Sequence, residues 1–556
     1  MDDCFFSRQI SNSCNIELYK YASFSFCIAA EPFCDKSLNI IIRCPGHSMF
    51  CRCFALIILI VLLAACSPMP VTAPVTGDAA VEQCHEMYTI LDNVVADAGV
   101  IDAEGKRIPG FPYLRSNRFL ASLADSSASL DHQRAWLGQL IELDRQGRRV
   151  ELANLPPSHR QSLAEQMRTG PDALDARLSR CAERLRDFDL QHPQRLQTIH
   201  AFAQVEDNYS LWQRTLGLYP LTRYPVYQAI ENWKARHLPT FAIDNDEKDW
   251  QGRPLVYIPE TGTTGKLTAD DIARMINRSR RPPLNIPELA AADLETLAQQ
   301  FAPVFLVDEK DNRDRIGRPV WNDKEAFAVD TAGPVVYVRP GYTWFEDTIL
   351  LQLIYTLWFP ERPESSAWDL LAGKLDGIIW RVTIDGDGHP LMADSIHPCG
   401  CYHLFFPRAD LEKKPRQDNA LREDNITPQS LPHLGNDERV VIRIASVSHY
   451  IEHLSSASAL NTAWARREYA LSANGSIPDH GLRIIPLPSG DSMSLYGQDG
   501  MVAGTERRER WLLWPMGVKS PGAMRQWGRH ATAFIGRRHF DDPLLFENGF
   551  SRTSHE

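Results

Sequence analysis

The chain predicts an α+β fold, with an N-terminal all-α helical region followed by a mixed α/β C-terminal domain with antiparallel hairpins. Three observations carry this. From about Ala80 to Ala235 apolar residues recur at helical spacing. From about Ala302 the apolar runs become short and rich in β-branched and aromatic residues. Asp385-Gly-Asp-Gly388 between two such runs is a strong hairpin turn. The 556 residues exceed what one core usually holds, and 44% hydrophobic with 23% charged residues is ordinary globular composition. A net charge of −11 argues against a nucleic-acid binder and against electrostatic attraction to an anionic membrane.

Taken in order, the first element is an export signal. Seven cysteines, from Cys4 to Cys53, precede the apolar run Phe54–Ala65, which is long enough for a secretory core and short for a membrane span. The run ends in Leu63-Ala-Ala-Cys66, which resembles the lipobox of bacterial lipoproteins. The resemblance implies lipidation of Cys66 and attachment to the membrane through that anchor. Ser67, where an inner-membrane retention signal would place Asp, implies outer-membrane sorting, facing the periplasm. Residues 1–48 carry mixed charge unlike a signal's short positive start, so Met49 is the expected initiator, residues 1–48 a non-native extension and 49–65 the signal peptide. Residues 66–79, rich in Pro and Thr, read as a tether.

In the helical region, 80–235, Trp136, Leu137, Leu140 and Ile141 share one face of a helix beginning at Leu130, and Pro171-Asp opens another. Cys84 and Cys181 both fall in expected helices. An oxidising envelope would join them, and two separate buried thiols is the alternative. The connection, 236–300, is proline-rich. Its Gly262-Thr-Thr-Gly-Lys-Leu fails as a phosphate loop because Leu267 replaces the magnesium-binding hydroxyl, and Thr268-Ala-Asp-Asp then starts a helix.

In the domain 301–556, Val304–Val307 and Val335–Val338 read as strands. Phe345–Phe359 has helical spacing and reads as a core helix. Gly377–Ile384 and Leu391–Ile396 read as a hairpin across the Asp385 turn, and Trp511-Leu-Leu-Trp514 as a buried strand.

Two stretches carry chemistry. In His397-Pro-Cys399-Gly-Cys401-Tyr-His403 the ligand-type residues alternate, with donors suited to zinc or cuprous copper. A straight strand would separate the two histidines by about 20 Å, so they converge only if Pro398 and Gly400 bend the chain. The same residues also suit a structural disulfide or a redox-active thiol pair, Cys399 with Cys401. Asp394, Ser395 and His397 offer triad-type side chains, but triads draw on separate parts of a chain.

The second stretch, His449-Tyr-Ile-Glu-His453, resembles the His-x-x-Glu-His motif of inverzincins, the pitrilysin-like metallopeptidases, over five residues. The resemblance implies zinc on His449 and His453, with Glu452 as general base and a third ligand drawn from Glu506, Glu509 or Glu547. It needs a helix, whereas Arg439–Ser446 leads in with strand alternation. The function expected is a lipid-anchored envelope protein with a Cys/His site that is structural or metal-binding. The alternatives are a zinc-dependent hydrolase and a thiol–disulfide redox protein. No protein partner can be read from the residues.

Overall fold

The computed structural model describes residues 6–11, 37–42 and 77–553, except 169, 261–265, 323–325, 367, 416–420, 436–437 and 473–479. The signal run, Cys66, most of the tether and the Gly262 turn lie outside the described residues. Residues Met1–Val71 and Thr72–Glu556 are separate units. In the first, Phe6–Ser11 pairs antiparallel with Ser37–Ile42.

The second unit is α+β. Helices occupy much of 79–237, beginning with Ala79–Asp97, whose first turn is capped by Asp78 Oδ1 accepting from the Ala80 and Val81 N–H groups at 2.9 and 3.2 Å. Leu130–Ala153 and Pro171–Leu190 follow, with Trp136, Leu137 and Leu140 buried as their spacing requires. The region is not purely helical, because a hairpin, Lys106–Ile108 with Phe111–Ser116, turns at Gly110 and inserts Tyr113 and Arg115 among the helices. Cys84 and Cys181 form a disulfide, Cα–Cα 5.3 Å, between the first helix and Pro171–Leu190. The core here also takes Ile286 and Ile349 from beyond residue 280, so the helical and mixed segments share apolar packing.

The mixed segment is organised on one ten-stranded sheet. In chain order its strands are β1 (Arg253–Pro259), β2 (Val304–Glu309), β3 (Val335–Phe345), β4 (Thr348–Arg362), β5 (Gly373–Ile384), β6 (Pro390–Ile396), β7 (Leu404–Pro407), β8 (Val440–Ile444), β9 (Ile451–Ser456) and β10 (Ala465–Ser472). Their spatial order is β7-β6-β5-β4-β3-β10-β1-β2-β8-β9. β3 to β7 form an antiparallel meander, and β10 pairs parallel with β3 on one side and with β1 on the other.

The expected core helix at Phe345–Phe359 is instead the end of β3 and most of β4. Phe345 pairs with Thr348 across Glu346-Asp347, both at positive φ (48° and 59°), the backbone of a two-residue hairpin turn. β4 is buried on both faces. Leu351, Leu353, Tyr355, Leu357 and Phe359 enter the largest core, while Leu350, Ile354 and Trp358 enter separate clusters. A strand apolar at every position also satisfies helical periodicity, which is why spacing misled.

Trp511–Trp514 is likewise not a buried strand. Arg510–Leu513 is a short helix with Trp511 70% and Leu512 63% exposed, and Gly517 at φ 81° ends the turn that follows. No strand of the sheet lies there for it to pair with among the described residues.

Candidate functional site

The Cys/His stretch is the loop from β6 to β7. Pro398 and Gly400 do bend the chain: the His397 N–H donates to Cys401 O at 3.0 Å, and Gly400 adopts φ 93°. A Cβ at Gly400 would meet Ala531 O at 2.4 Å, so the turn needs glycine. The segment around Arg525 clamps the loop, its N–H donating to Pro398 O and its Nε to Cys399 O at 2.9 and 3.1 Å.

The bend does not gather the four ligand-type residues. Cys399 and Cys401 are free thiols, not a disulfide. A hydrogen bond with Cys399, together with burial, pushes the Cys401 thiol well above its ordinary value, leaving little thiolate for redox exchange. His403 sits in a sealed network, Nε2 2.8 Å from Asp394 Oδ2 and Nδ1 3.1 Å from Thr532 Oγ1. Arg381 holds the same carboxylate with two donors at 2.8 and 2.5 Å. Burial pushes His403 down to about 3, so it is neutral. Asp394 therefore serves Arg381 and His403, and no triad with Ser395 and His397 forms.

His397 turns elsewhere, its Nδ1 3.2 Å from Asp376 Oδ1. The other oxygen of Asp376 is 2.9 Å from His449 Nδ1. The two stretches thus meet on one carboxylate. Asp376 enters β5 just after Leu375, which has φ 56°, and its Oδ1 also accepts from the Gly377 N–H at 3.0 Å. His449 ends the β8–β9 turn at φ 53°, stacked on Phe359 with centroids 3.9 Å apart. Its Nε2 faces Asp314 Oδ1 at 3.4 Å. Asp314 is itself oriented by the Val447 N–H and Ser446 Oγ at 2.7 and 2.9 Å.

These contacts fix the charges. Burial opposes protonation of His449, but its hydrogen bonds to Asp314 and Asp376 outweigh that and raise it. For His397 burial wins over Asp376, so its value is lowered and the ring is neutral. With Nδ1–H toward Asp376, His397 Nε2 is left as a basic lone pair. Asp376 is held well below the carboxylate range, the pull of His397 and then His449 exceeding the cost of burial.

Beside this buried core lie half-buried groups. Trp233, Tyr402 and Tyr450 pack at 4.5–5.7 Å between centroids, Tyr402 lying 5.1 Å from His397. Arg362 donates to Tyr450 Oη at 3.2 Å. Burial pushes Glu509, beside Arg362 and Arg507, up to about 7. Leu375, Tyr402, Val447 and His449 all hold positive φ without being glycine. Such strain persists only where the surroundings impose it, and it concentrates at working sites.

The peptidase-like motif does not assemble as a zinc site. β9 replaces the helix it needs. Glu452 pairs with Lys248 at 2.7 Å, His453 Nδ1 lies 2.8 Å from Phe241 O, and both nitrogens of His449 face carboxylates. A zinc ligand needs a free imidazole lone pair, and neither His403 nor His449 offers one, so these residues do not fit the metal. Among the described residues no group of three or more such side chains is placed to hold one. Glu509, a candidate third ligand by sequence, instead lies beside Arg362 and Arg507 and acts on Tyr402, while Glu452 pairs with Lys248.

Asp376 and Asp314 were not singled out from sequence. For Asp376 a signal existed: an acid inside the apolar run Leu375–Ile384 has to be buried with a partner. Asp314 had none, lying in a polar loop. No family model, curated protein or solved structure matches the chain.

Proposed function

We propose that the chain is a bacterial envelope lipoprotein, anchored through Cys66, whose second unit carries an acid–base site that activates water for hydrolysis. The observation that carries the chemistry is the Asp376 carboxylate shared by His397 and His449. Asp376 orients His397 so that its Nε2 can take a proton, and His449, raised by Asp314 and Asp376, helps hold Asp376 ionised. Glu509, poised near neutrality, is the proton donor, and Arg362 with Tyr402 supplies hydrogen bonds to developing negative charge. Two carboxyl and imidazole environments pushed in opposite directions are the arrangement general acid–base chemistry requires. The envelope location is supported by the lipobox-like run and by the Cys84–Cys181 disulfide, which suits an oxidising compartment. No helix among the described residues is long and apolar enough to cross a membrane.

The purified mature protein, offered a panel of ester, amide and phosphoester substrates, tests the reading. Turnover that disappears in both His397→Gln and Asp376→Asn, with thermal melting of His397→Gln unchanged, is the expected result. Wild-type turnover in His397→Gln sinks the assignment. Acyl-chain mass on the Cys66 peptide, absent from Cys66→Ser, tests the anchor separately.

A further inference from the structure

The surface carries an apolar patch that the fold does not explain. Across the helices Leu211–Leu216 and Tyr219–His237 and the turn between them, Leu211, Trp212, Leu216, Leu218 and Leu221 are each 60–70% exposed. Trp511 and Leu512 add 70% and 63% from the short helix Arg510–Leu513. The two segments form one surface. Ser210 N–H donates to Gly517 O at 2.7 Å, Arg214 Nε to Met516 O at 2.8 Å, and a Cβ at Gly217 would meet Pro515 at 2.4 Å. Soluble proteins seldom leave so many large apolar side chains together without something to cover them.

We infer that this patch seats on the lipid bilayer surface, inserting Trp212 and Trp511 to the level of the acyl-chain boundary. The inference rests on the Cys66 anchor proposed above. Cys66 precedes the first helix cap, Asp78, by a stretch spanning about 40 Å at most. A folded unit of this size has a radius of gyration of roughly 23 Å, so the tether keeps its body against the bilayer, where it can roll the patch down. The composition fits an interface. Leucine and tryptophan form the apolar centre, while the Arg510 guanidinium lies 4.9 Å over the Trp511 ring and that of Arg223 5.3 Å over Tyr224 at its margin, cations held on aromatic faces as at a membrane interface. With a net charge of −11, contact is driven by apolar insertion, so neutral lipid suffices.

The test uses the mature lipoprotein in neutral phosphatidylcholine vesicles, with and without bromine on the acyl chains. Tryptophan emission is read alongside flotation. Quenching is expected in the wild type, most of it lost in Trp212→Phe/Trp511→Phe, which removes the reporters. In Leu216→Glu/Leu221→Glu, which keeps the reporters but charges the patch, quenching should fall several-fold. Both variants should still float. Floating protein without quenching overturns the seating while leaving the anchor intact. Protein that neither floats nor carries an acyl mass on Cys66 overturns the anchor and the seating with it. A concentration-dependent dimer abolished by Leu216→Glu, with no quenching, assigns the patch to a second copy and overturns the bilayer.

Discussion

Around Arg115 and around Asp376 the chain buries ionisable groups equally deeply, yet the two regions are built on different terms. Arg115, fully buried, donates to Asp144 at 3.0 Å, to Glu151 at 2.8 Å and to Asp102 O at 3.2 Å. Arg148, Arg107 and Arg483 complete the same set, Arg483 reaching Asp102 and Glu104 at 2.7 and 2.8 Å. Every acid there faces an arginine, and the backbone around it is regular helix and hairpin. Burial pushes Glu151 up, but Arg115, Arg148 and Arg107 together hold it down to about 2. At Asp376 the nearest partners are two imidazoles shifted in opposite directions, with Arg507 3.9 Å away, the backbone is strained at four positions, and half-buried aromatic groups pack alongside. Buried charge alone therefore marks architecture. Buried charge with histidines shifted in opposite directions marks a site.

The comparison breaks most visibly at Arg115. Arg115→Ala takes one partner from each of three buried acids and should lower the unfolding free energy by about 3–5 kcal/mol in urea titrations. A loss below roughly 1 kcal/mol would show that the network contributes little. Asp376→Asn, isosteric but uncharged, should cost less, about 1–3 kcal/mol, because its hydrogen-bonding capacity survives in part.

pH separates the regions by sign. His449 is raised above 6.5, so its contribution is fully present below that value and lost as pH rises through its folded value. The stability gap between wild type and His449→Gln should therefore shrink as pH climbs above 6.5 and through the raised folded value. Glu151 is depressed, so its contribution is present above 4.5 and lost only as pH falls toward 2. The gap between wild type and Glu151→Gln should stay flat over the range in which the first gap closes. The smallest effect is chemical. Diethyl pyrocarbonate should label His397, whose Nε2 is left basic, and spare His403 and His449, whose nitrogens are engaged, as read by peptide mass. Labelling of His403 ahead of His397 would contradict the assignment of His397 as the free base and His403 as the sealed histidine.

Much of the scaffold was legible before any coordinates. The helices at Leu130 and Pro171, the Thr268 helix start, the Asp385 turn and the strands on either side of it all follow from spacing and turn chemistry. β4 was not, because double-sided burial erases the alternation that distinguishes a strand. Its Glu346-Asp347 turn also lacks the glycine that usually announces one. The hairpin around Arg115 carried a Pro109-Gly110 turn signal that the helical pattern on either side concealed. Of the site, both histidine stretches were legible as chemistry, but not their meeting. That depends on β5 carrying Asp376 between loops some fifty residues apart in the chain, His397 and His449, which no local pattern encodes.

One strand governs how the second unit comes together. β10, Ala465–Ser472, is the sole link in the sheet between the meander of β3 to β7 and the group β1-β2-β8-β9, pairing Val335 with Ala470 and Leu255 with Ala465. A chain delivered N-terminus first brings out nine strands before the tenth can join them. Until then β3 and β1 are open edges with unpaired backbone donors and acceptors, surfaces that invite pairing with other chains. Completion of the sheet is thus a late, long-range event. A chain cut before residue 465 should collect as aggregate, even though both the Asp376 carboxylate and its two histidines have already been made.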